Sequence, residues 1–523
     1  MPMIDGEMQS YRLTLDKFLR HAAKWHPETE VVTAQADGTV ARIGYAELMA
    51  RSLKVSAVLN GLGVRKGDRV ATLAWNTQAH VETWFATMGM GAVCHTLNPR
   101  LTAAQLGEMA TRADVRLLVA SADLAPLAQD IRARAPRIER LLLIDAPDDE
   151  RMALEPMLAA AEDDVTWGEF EETAPCGLCF TSGTTGAPKG VTYTHRASYL
   201  HTLRSLQADM MAFRSADSVL AVVPMFHANA WGLPFAVPAV GARLVLPGRN
   251  ADGASLARLI NGEGVNIAVG VPTVWLGLVE HLDATGGKVP TLQRIVVGGA
   301  PMPPALMARL ERRLGVIVQT SWGMTELSPC GTVAPPEDPG RAAHLSGRPA
   351  VGLDLLLTDA AGVPLPDQRG GEGHLHVCGQ AVVARYFGES EAATNEDGWF
   401  STGDLARIDG HGNLIITGRA KDLIKSGGEW INPAEIEAVV SALPAVSLAA
   451  VIGRPDPKWG ERPILLVETR GDEPVSDEAL LEPLQGRVAP WWIPDEVFRL
   501  ANMPLAPTGK IDKMRLRSEY GNG

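Results

Sequence analysis

Cysteine is scarce, basic charge is in deficit and long apolar runs are missing, and each shortage closes off a class of protein. Five cysteines in 523 residues cannot supply a disulfide framework, which points to a reducing compartment, the cytoplasm. Cys176 and Cys179 form one C-x-x-C. No second pair and no C-x-x-C-H follows, so the two read as buried structural thiols rather than a metal or redox site. The net charge of −13 argues against a nucleic-acid partner, whose phosphates demand a basic face. Small phosphorylated ligands stay open, because a few local Lys and Arg decide such sites. The N-terminal stretch MPMIDGEMQS lacks the basic and apolar regions of a signal peptide. No apolar run approaches the roughly 20 residues of a membrane helix. Arg243 and several prolines interrupt the best candidate, residues 232–247, so no membrane span is expected. Internal repeats, low-complexity tracts and long charged tails are also missing.

What is present is an ordinary globular composition, 46% apolar and 21% charged. The chain is too long for one compact core, so two or more domains are expected. Residues 11–170 alternate helical patterns with short apolar strands, the rhythm of a doubly wound α/β layer. YAELMARSLKVSAVLNGLG reads as an amphipathic helix ended by Gly, followed by a turn and a strand in VRKGDRVATLAWN. CFTSGTTGAPKGV, residues 179–191, has the composition of an anion nest. Its order is wrong for a P-loop, which needs Gly before the Lys and a hydroxyl after it; here Pro188 precedes Lys189 and Gly190 follows. Further strands run into PMFHANAWG, VVGGAPMP and SWGMTELSP. Polar and Gly-rich turns at several strand ends suit the crevice where open α/β sheets gather ligands. From about Gly340 the texture becomes β-rich. Near residue 432 a helix start is marked by Asn432 as N-cap, Pro433 at the first position and Glu435 at the capping-box position. The last hundred residues read as a small α+β unit.

TSGTTGAPKG, WGMTE, STGDLA, GRAKDLIKSGGEWINPAEIE and PTGKI occur in this order along the chain. Together they resemble the acyl-adenylate-forming (AMP-binding) enzymes, which include acyl-CoA synthetases, adenylation domains of peptide synthetases and beetle luciferases. The resemblance covers nearly the whole sequence, and five motifs in order are far more specific than one. It implies an α/β fold: a large N-terminal domain, residues 1–420, of doubly wound α/β subdomains plus a β-rich unit at about 340–418, and a small mobile α+β lid, residues 421–523. The implied reaction joins a carboxylic acid to ATP, giving acyl-AMP and pyrophosphate, and then lets the thiol of coenzyme A displace AMP. Such chemistry needs phosphate clamps, Mg²⁺ and a cation joining two anions. The resemblance gives the phosphate clamp to Thr181, Ser182, Gly183, Thr184, Thr185, Gly186 and Lys189. Trp322, Gly323 and Thr325 become adenylate contacts; Trp322 stands where the family usually has Tyr, and either ring can present a face to adenine. Glu326 becomes the Mg²⁺ ligand. Asp404 and Arg419 would hold the ribose and phosphate. Lys510 would be the catalytic cation, Lys421 the hinge, and Lys425 the lysine of the second half-reaction.

No carrier-domain signature follows PTGKI, which favours a stand-alone CoA ligase. SGGEWINPAEIE and PMFHANAWG look most like the branch acting on fatty acids and short thio- or alkyl-carboxylates. In that branch His227, Trp231, Gly298, Gly299, Ala300, Pro301 and Met324 line the acyl tunnel, with His227 gating it or helping CoA reach the acyl group. Trp231 and Trp275 suggest a short or medium tunnel. Medium-chain fatty acid is the first expectation, 3-methylmercaptopropionate the second and an aryl-alkanoate the third. His374 and Arg385 depart from the family pattern and are expected to lie away from the phosphate motifs. A fold that binds adenylate without turnover, a luciferase-like oxygenase and a P-loop kinase are the rival readings. A homodimer is possible.

Overall fold

A computed structural model describes residues 6–146, 152–162, 165–181, 188–427, 429–471, 475–506 and 509–521. Two mostly parallel sheets form the larger part. One has nine strands, with six in parallel at its centre: Ile317–Gly323, Arg294–Val297, Ile267–Gly270, Ser218–Ala221, Arg243–Leu246 and Glu30–Ala34. Antiparallel strands Cys330–Val333 and Arg348–Pro349 close one edge, and Val40–Gly44 the other. The second sheet has six strands: Arg140–Ile144, Leu117–Ser121, Arg69–Leu73, Val93–Thr96 and Pro175–Phe180 in parallel, then Gly190–Thr194 antiparallel at the edge. The central strands are buried on both faces, as parallel strands covered by helices must be.

The helix read from YAELMARSLKVSAVLNGLG spans Tyr45–Gly61. It buries Tyr45, Leu48, Ser52, Val55, Ser56 and Leu59, an i, i+3, i+7 stripe. Asn76 joins the two sheets. Its side-chain amide donates to the carbonyls of Ala221 and Val223, and its Oδ1 accepts from the Met225 N–H at 2.7 Å. That fixes the start of the PMFHANAWG turn.

A four-stranded antiparallel sheet follows, Leu353–Thr358, Glu372–Gly379, Phe400–Ile408 and Leu414–Arg419. The last part of the chain builds a five-stranded sheet from Ile424–Ser426, Glu429–Ile431, Val446–Asp456, Gly460–Thr469 and Glu496–Arg499. It has its own core around Ile436, Val451 and Leu465. Its helix Pro433–Ser441 starts at Asn432, whose Oδ1 accepts the Ala434 N–H at 3.2 Å. The expected capping box takes a different form: Glu435 accepts from the Asn432 side-chain amide rather than from its backbone.

Cys94, Cys176, Cys179 and Cys330 are buried and Cys378 is partly exposed. Burial pushes the Cys176 thiol up to about 12, which leaves it inert. Among the described residues no helix is long and apolar enough to cross a membrane.

Candidate active site

The anion-nest loop connects Pro175–Phe180 to its antiparallel neighbour Gly190–Thr194. Ser182, Gly183, Thr184, Thr185 and Gly186 lie outside the described residues. The loop's base is tied by Thr181 N–H to the Lys189 carbonyl at 2.8 Å and by Arg112 donating to the Pro188 carbonyl at 2.7 Å. Phe387 N–H donates to the Gly190 carbonyl, and a Cβ on Gly190 would meet the Phe387 Cβ at 2.9 Å, so only glycine permits this approach.

The Lys189 ammonium lies 4.7 Å from the Tyr386 ring centroid. The Tyr386 hydroxyl donates to Glu326 Oε1 at 2.9 Å. Glu326, on the short turn Thr325–Leu327, is 8% exposed. Tyr386 was invisible to motif reading, and its position overturns the expectation that the segment around Arg385 stands apart from the phosphate machinery. Arg385 itself points to solvent, but the two residues after it reach Glu326, Lys189 and Gly190. The chain bends at Ala384 and Arg385 and turns at Phe387–Gly388, leaving Arg385 exposed and Tyr386 directed inward.

Trp322 is largely buried. Its indole N–H donates to Asp404 Oδ2 at 3.0 Å, and its ring packs where a Cβ on Gly331 would come within 2.7 Å. The ring thus serves as a partner of the carboxylate, with one side closed by the chain itself. Asp404 is 2% exposed and its Oδ1 pairs with Arg419 at 2.6 Å. Burial pushes the Asp404 carboxyl up, while Arg419, Trp322 and Lys510 favour its charged form.

Lys510 reaches this group from the far end of the chain. Its ammonium is within electrostatic range of Arg419, Asp404, Glu326 and Lys421. The residue stands open to water in the cleft yet has protein around it, and this desolvation, with Arg419 and Lys421, pushes it down to about 8. Gly509, at φ 82°, lies close to Val271 and Thr273, so the approach of this loop rests on the strand–helix corner of the nine-stranded sheet. His227 faces Lys510 and Arg100; burial and these two charges drive its imidazole down to about 4, so it is neutral.

Lys421 occupies the turn Ala420–Asp422 beside this cluster, and Asp422 is paired to Arg517 at 2.7 Å. Lys425 is not brought in: it is exposed on strand Ile424–Ser426, 5.5 Å from the exposed Trp430 ring, and outside the charges acting on Lys510.

On the other side, residues 228–232 form a left-handed turn, with φ of 44°, 51°, 47°, 54° and 79°. This costs roughly 1–2 kcal/mol per non-glycine residue. It lays Trp231 against Gly298 and Gly299, where added Cβ atoms would approach the indole to 3.0 and 3.5 Å. Ala300 and Pro301 continue this wall at the surface, and Met324 packs partly buried beside it. Trp275 does not join them. It is fully buried, packed on Gly270 and Val222 in the core between sheet and helices, so of these two tryptophans Trp231 is the one placed to limit a tunnel.

Residues 19–387 match the family model described as AMP-binding enzyme, and residues 435–510 that of the AMP-binding enzyme C-terminal domain. The chain is 39% identical over 532 residues to the 3-methylmercaptopropionyl-CoA ligase of Ruegeria lacuscaerulensis, with 98% of each chain covered. It is 38% identical over 533 residues to the medium-chain-fatty-acid–CoA ligase of Ectopseudomonas oleovorans, covering 99% of this chain and 98% of that one. The crystal structure of ATP-bound MatB from Rhodopseudomonas palustris superposes with a TM-score of 0.86 at 26% identity, covering 98% of this chain and 99% of that one. With both family segments matched and two relatives aligned end to end, the chain belongs to the AMP-binding enzyme family.

Proposed function

We propose that the protein is an AMP-forming acyl-CoA ligase, taking a carboxylic acid, ATP and coenzyme A to acyl-CoA, AMP and pyrophosphate. The observation that carries this reading is the convergence of Lys510 with Asp404, Glu326, Arg419 and His227, residues spread over most of the sequence. Asp404, held by Arg419 and Trp322, is oriented to accept ribose hydroxyls on its remaining lone pairs. Lys189 and the loop it closes meet the outer phosphates. Lys510 joins the acid carboxylate to the α-phosphate, offsetting repulsion between two anions.

The donor set suits Mg²⁺. Among the described residues no cluster of three or more His, Cys, Asp or Glu could hold a metal. A cation at Glu326 would therefore take its other ligands from phosphate and water, the habit of Mg²⁺. When bound it would neutralise phosphate charge; Tyr386 keeps the Glu326 carboxylate aimed.

In the second half-reaction the lid, residues 421–523, turns about Lys421, withdrawing Lys510 and bringing Lys425 in. The exposed position of Lys425 fits an arrangement that serves adenylation. Medium-chain fatty acid is the first substrate and 3-methylmercaptopropionate the second; the named activities of the two curated relatives and the single Trp231 wall support this order. The scarcity of cysteine and the free, mostly buried thiols support a cytoplasmic location, and exposed Tyr11 and Leu203 offer apolar surface for a homodimer, measurable by sedimentation.

The test is the nucleotide product from ATP, Mg²⁺ and CoA with acids from acetate to dodecanoate, 3-methylmercaptopropionate and phenylpropionate. AMP and acyl-CoA with one cluster of acids is the expected result. ADP, or no turnover of any acid, would overturn it.

A further inference from the structure

The turn that carries Thr325 and Glu326 ends at Ser328, and the chain then enters strand Cys330–Val333. The Cys330 peptide is gripped from both sides by one helix, His195–Ser205, which begins just after the phosphate loop's second strand. His201 Nε2 accepts the Cys330 N–H at 3.0 Å. Arg204 donates to the Cys330 carbonyl from one turn further on. Both side chains are 1% exposed. Since Nε2 is the acceptor, the ring proton is on Nδ1, and burial together with Arg204 keeps the imidazole neutral.

The adjoining Cε1–Nδ1 edge of the same ring faces Gly232, the last residue of the left-handed turn: a Cβ there would lie 3.2 Å from Cε1 and Nδ1 of His201. One imidazole therefore touches the backbone behind the Glu326 turn and the backbone behind Trp231. Tyr193, from the preceding strand, adds a hydroxyl donated to the Thr325 carbonyl at 2.9 Å.

We propose that His201 is a positioning residue for both halves of the site: its Nε2 fixes the start of Cys330–Val333 and so the aim of Glu326, while its ring edge supports the turn that presents Trp231 to the acyl chain. This rests on the adenylation reading above. The two duties call for different atoms, so two variants separate them. His201→Phe keeps the ring and removes the acceptor, leaving the buried Cys330 N–H without its partner. His201→Gln restores an acceptor near the Nε2 position and removes the ring.

Acyl-AMP formation without CoA is measured against Mg²⁺ concentration and against acid chain length, with the melting temperature of each variant alongside. His201→Phe is expected to lower the rate about tenfold, a change matching one lost buried hydrogen bond. It should also raise the Mg²⁺ needed for half-maximal rate, with the chain-length profile unchanged. His201→Gln should recover most of the rate and the Mg²⁺ dependence, but shift the profile toward longer acids. Native rate and Mg²⁺ dependence in His201→Phe would overturn the proposal, as would equal losses in both variants that follow their melting temperatures. Were the wild type to make no acyl-AMP, the functional reading would fall. Mg²⁺-dependent stabilisation by a non-hydrolysable ATP analogue, weaker in His201→Phe than in His201→Gln, would then decide on His201.

Discussion

Lys510 acts as a bridging cation only while protonated, which makes adenylation pH-dependent in a direction the structure sets. Desolvation in the cleft, with Arg419 and Lys421, pushes its ammonium down to about 8, while Asp404 and Glu326 pull it back up. Its charge is complete well below that value and is lost as pH rises through it. A group titrating near 8 is about nine-tenths charged at pH 7 and about one-tenth at pH 9, so kcat/KM, which reports the free enzyme, should fall roughly tenfold across that interval. The alkaline limb in kcat should lie higher, because bound phosphate next to the ammonium favours its charged form. The assay is pyrophosphate release without CoA from pH 6 to 10.5. Lys510→Met should lower the rate by about 10²–10³-fold, the scale of a lost preorganised charge, and its residual rate should lack the limb. Lys510→Arg, charged throughout, should be slow but flat. A wild-type kcat/KM unchanged to pH 10.5, or the same limb surviving in Lys510→Met, would refute the assignment.

Trp322→Phe removes the indole donor from Asp404; a hydrogen bond to a charged group is worth about 1.5–3 kcal/mol, so KM for ATP should rise roughly tenfold to a hundredfold, readable in initial rates at saturating acid. Lys421→Pro should leave acyl-AMP formation near normal and cripple acyl-CoA formation; normal overall turnover would remove the hinge. Trp231→Ala opens the wall at Gly298 and Gly299 and should move the preferred acid to longer chains, seen as a changed ranking of kcat/KM across the acid series. Gly347→Ala tests packing: at φ 77° the new Cβ would fall 1.9 Å from the Val333 carbonyl carbon. Urea unfolding should show a loss of more than about 4 kcal/mol, or no folded protein.

The sequence by itself determined the fold class and the chemistry on offer. Alternating helix and strand patterns predict doubly wound sheets. Five motifs in order marked Asp404, Arg419, Glu326 and Lys510 as candidates, because Gly, Pro and Thr punctuation is local and spacing preserves it; that Asp404 sits in mid-strand opposite Arg419 is decided by sheet register. The chain could not show what meets across those ends. Tyr386 reaches Glu326, 60 positions away, from an irregular segment of bends and turns whose course no local pattern announces. The two tryptophans look alike as letters, yet helix Pro272–Thr285 turns Trp275 into the core, while the left-handed turn at 228–232 presents Trp231 to the site. Trp322 was legible as an aromatic beside the adenylate, but its bond to Asp404 needs the nine-stranded sheet to dock against the antiparallel one. His201 carries no motif at all: its bond to Cys330 spans 129 positions. Local patterns fix which groups the chain can present; sheet order, register and packing alone decide which of them touch.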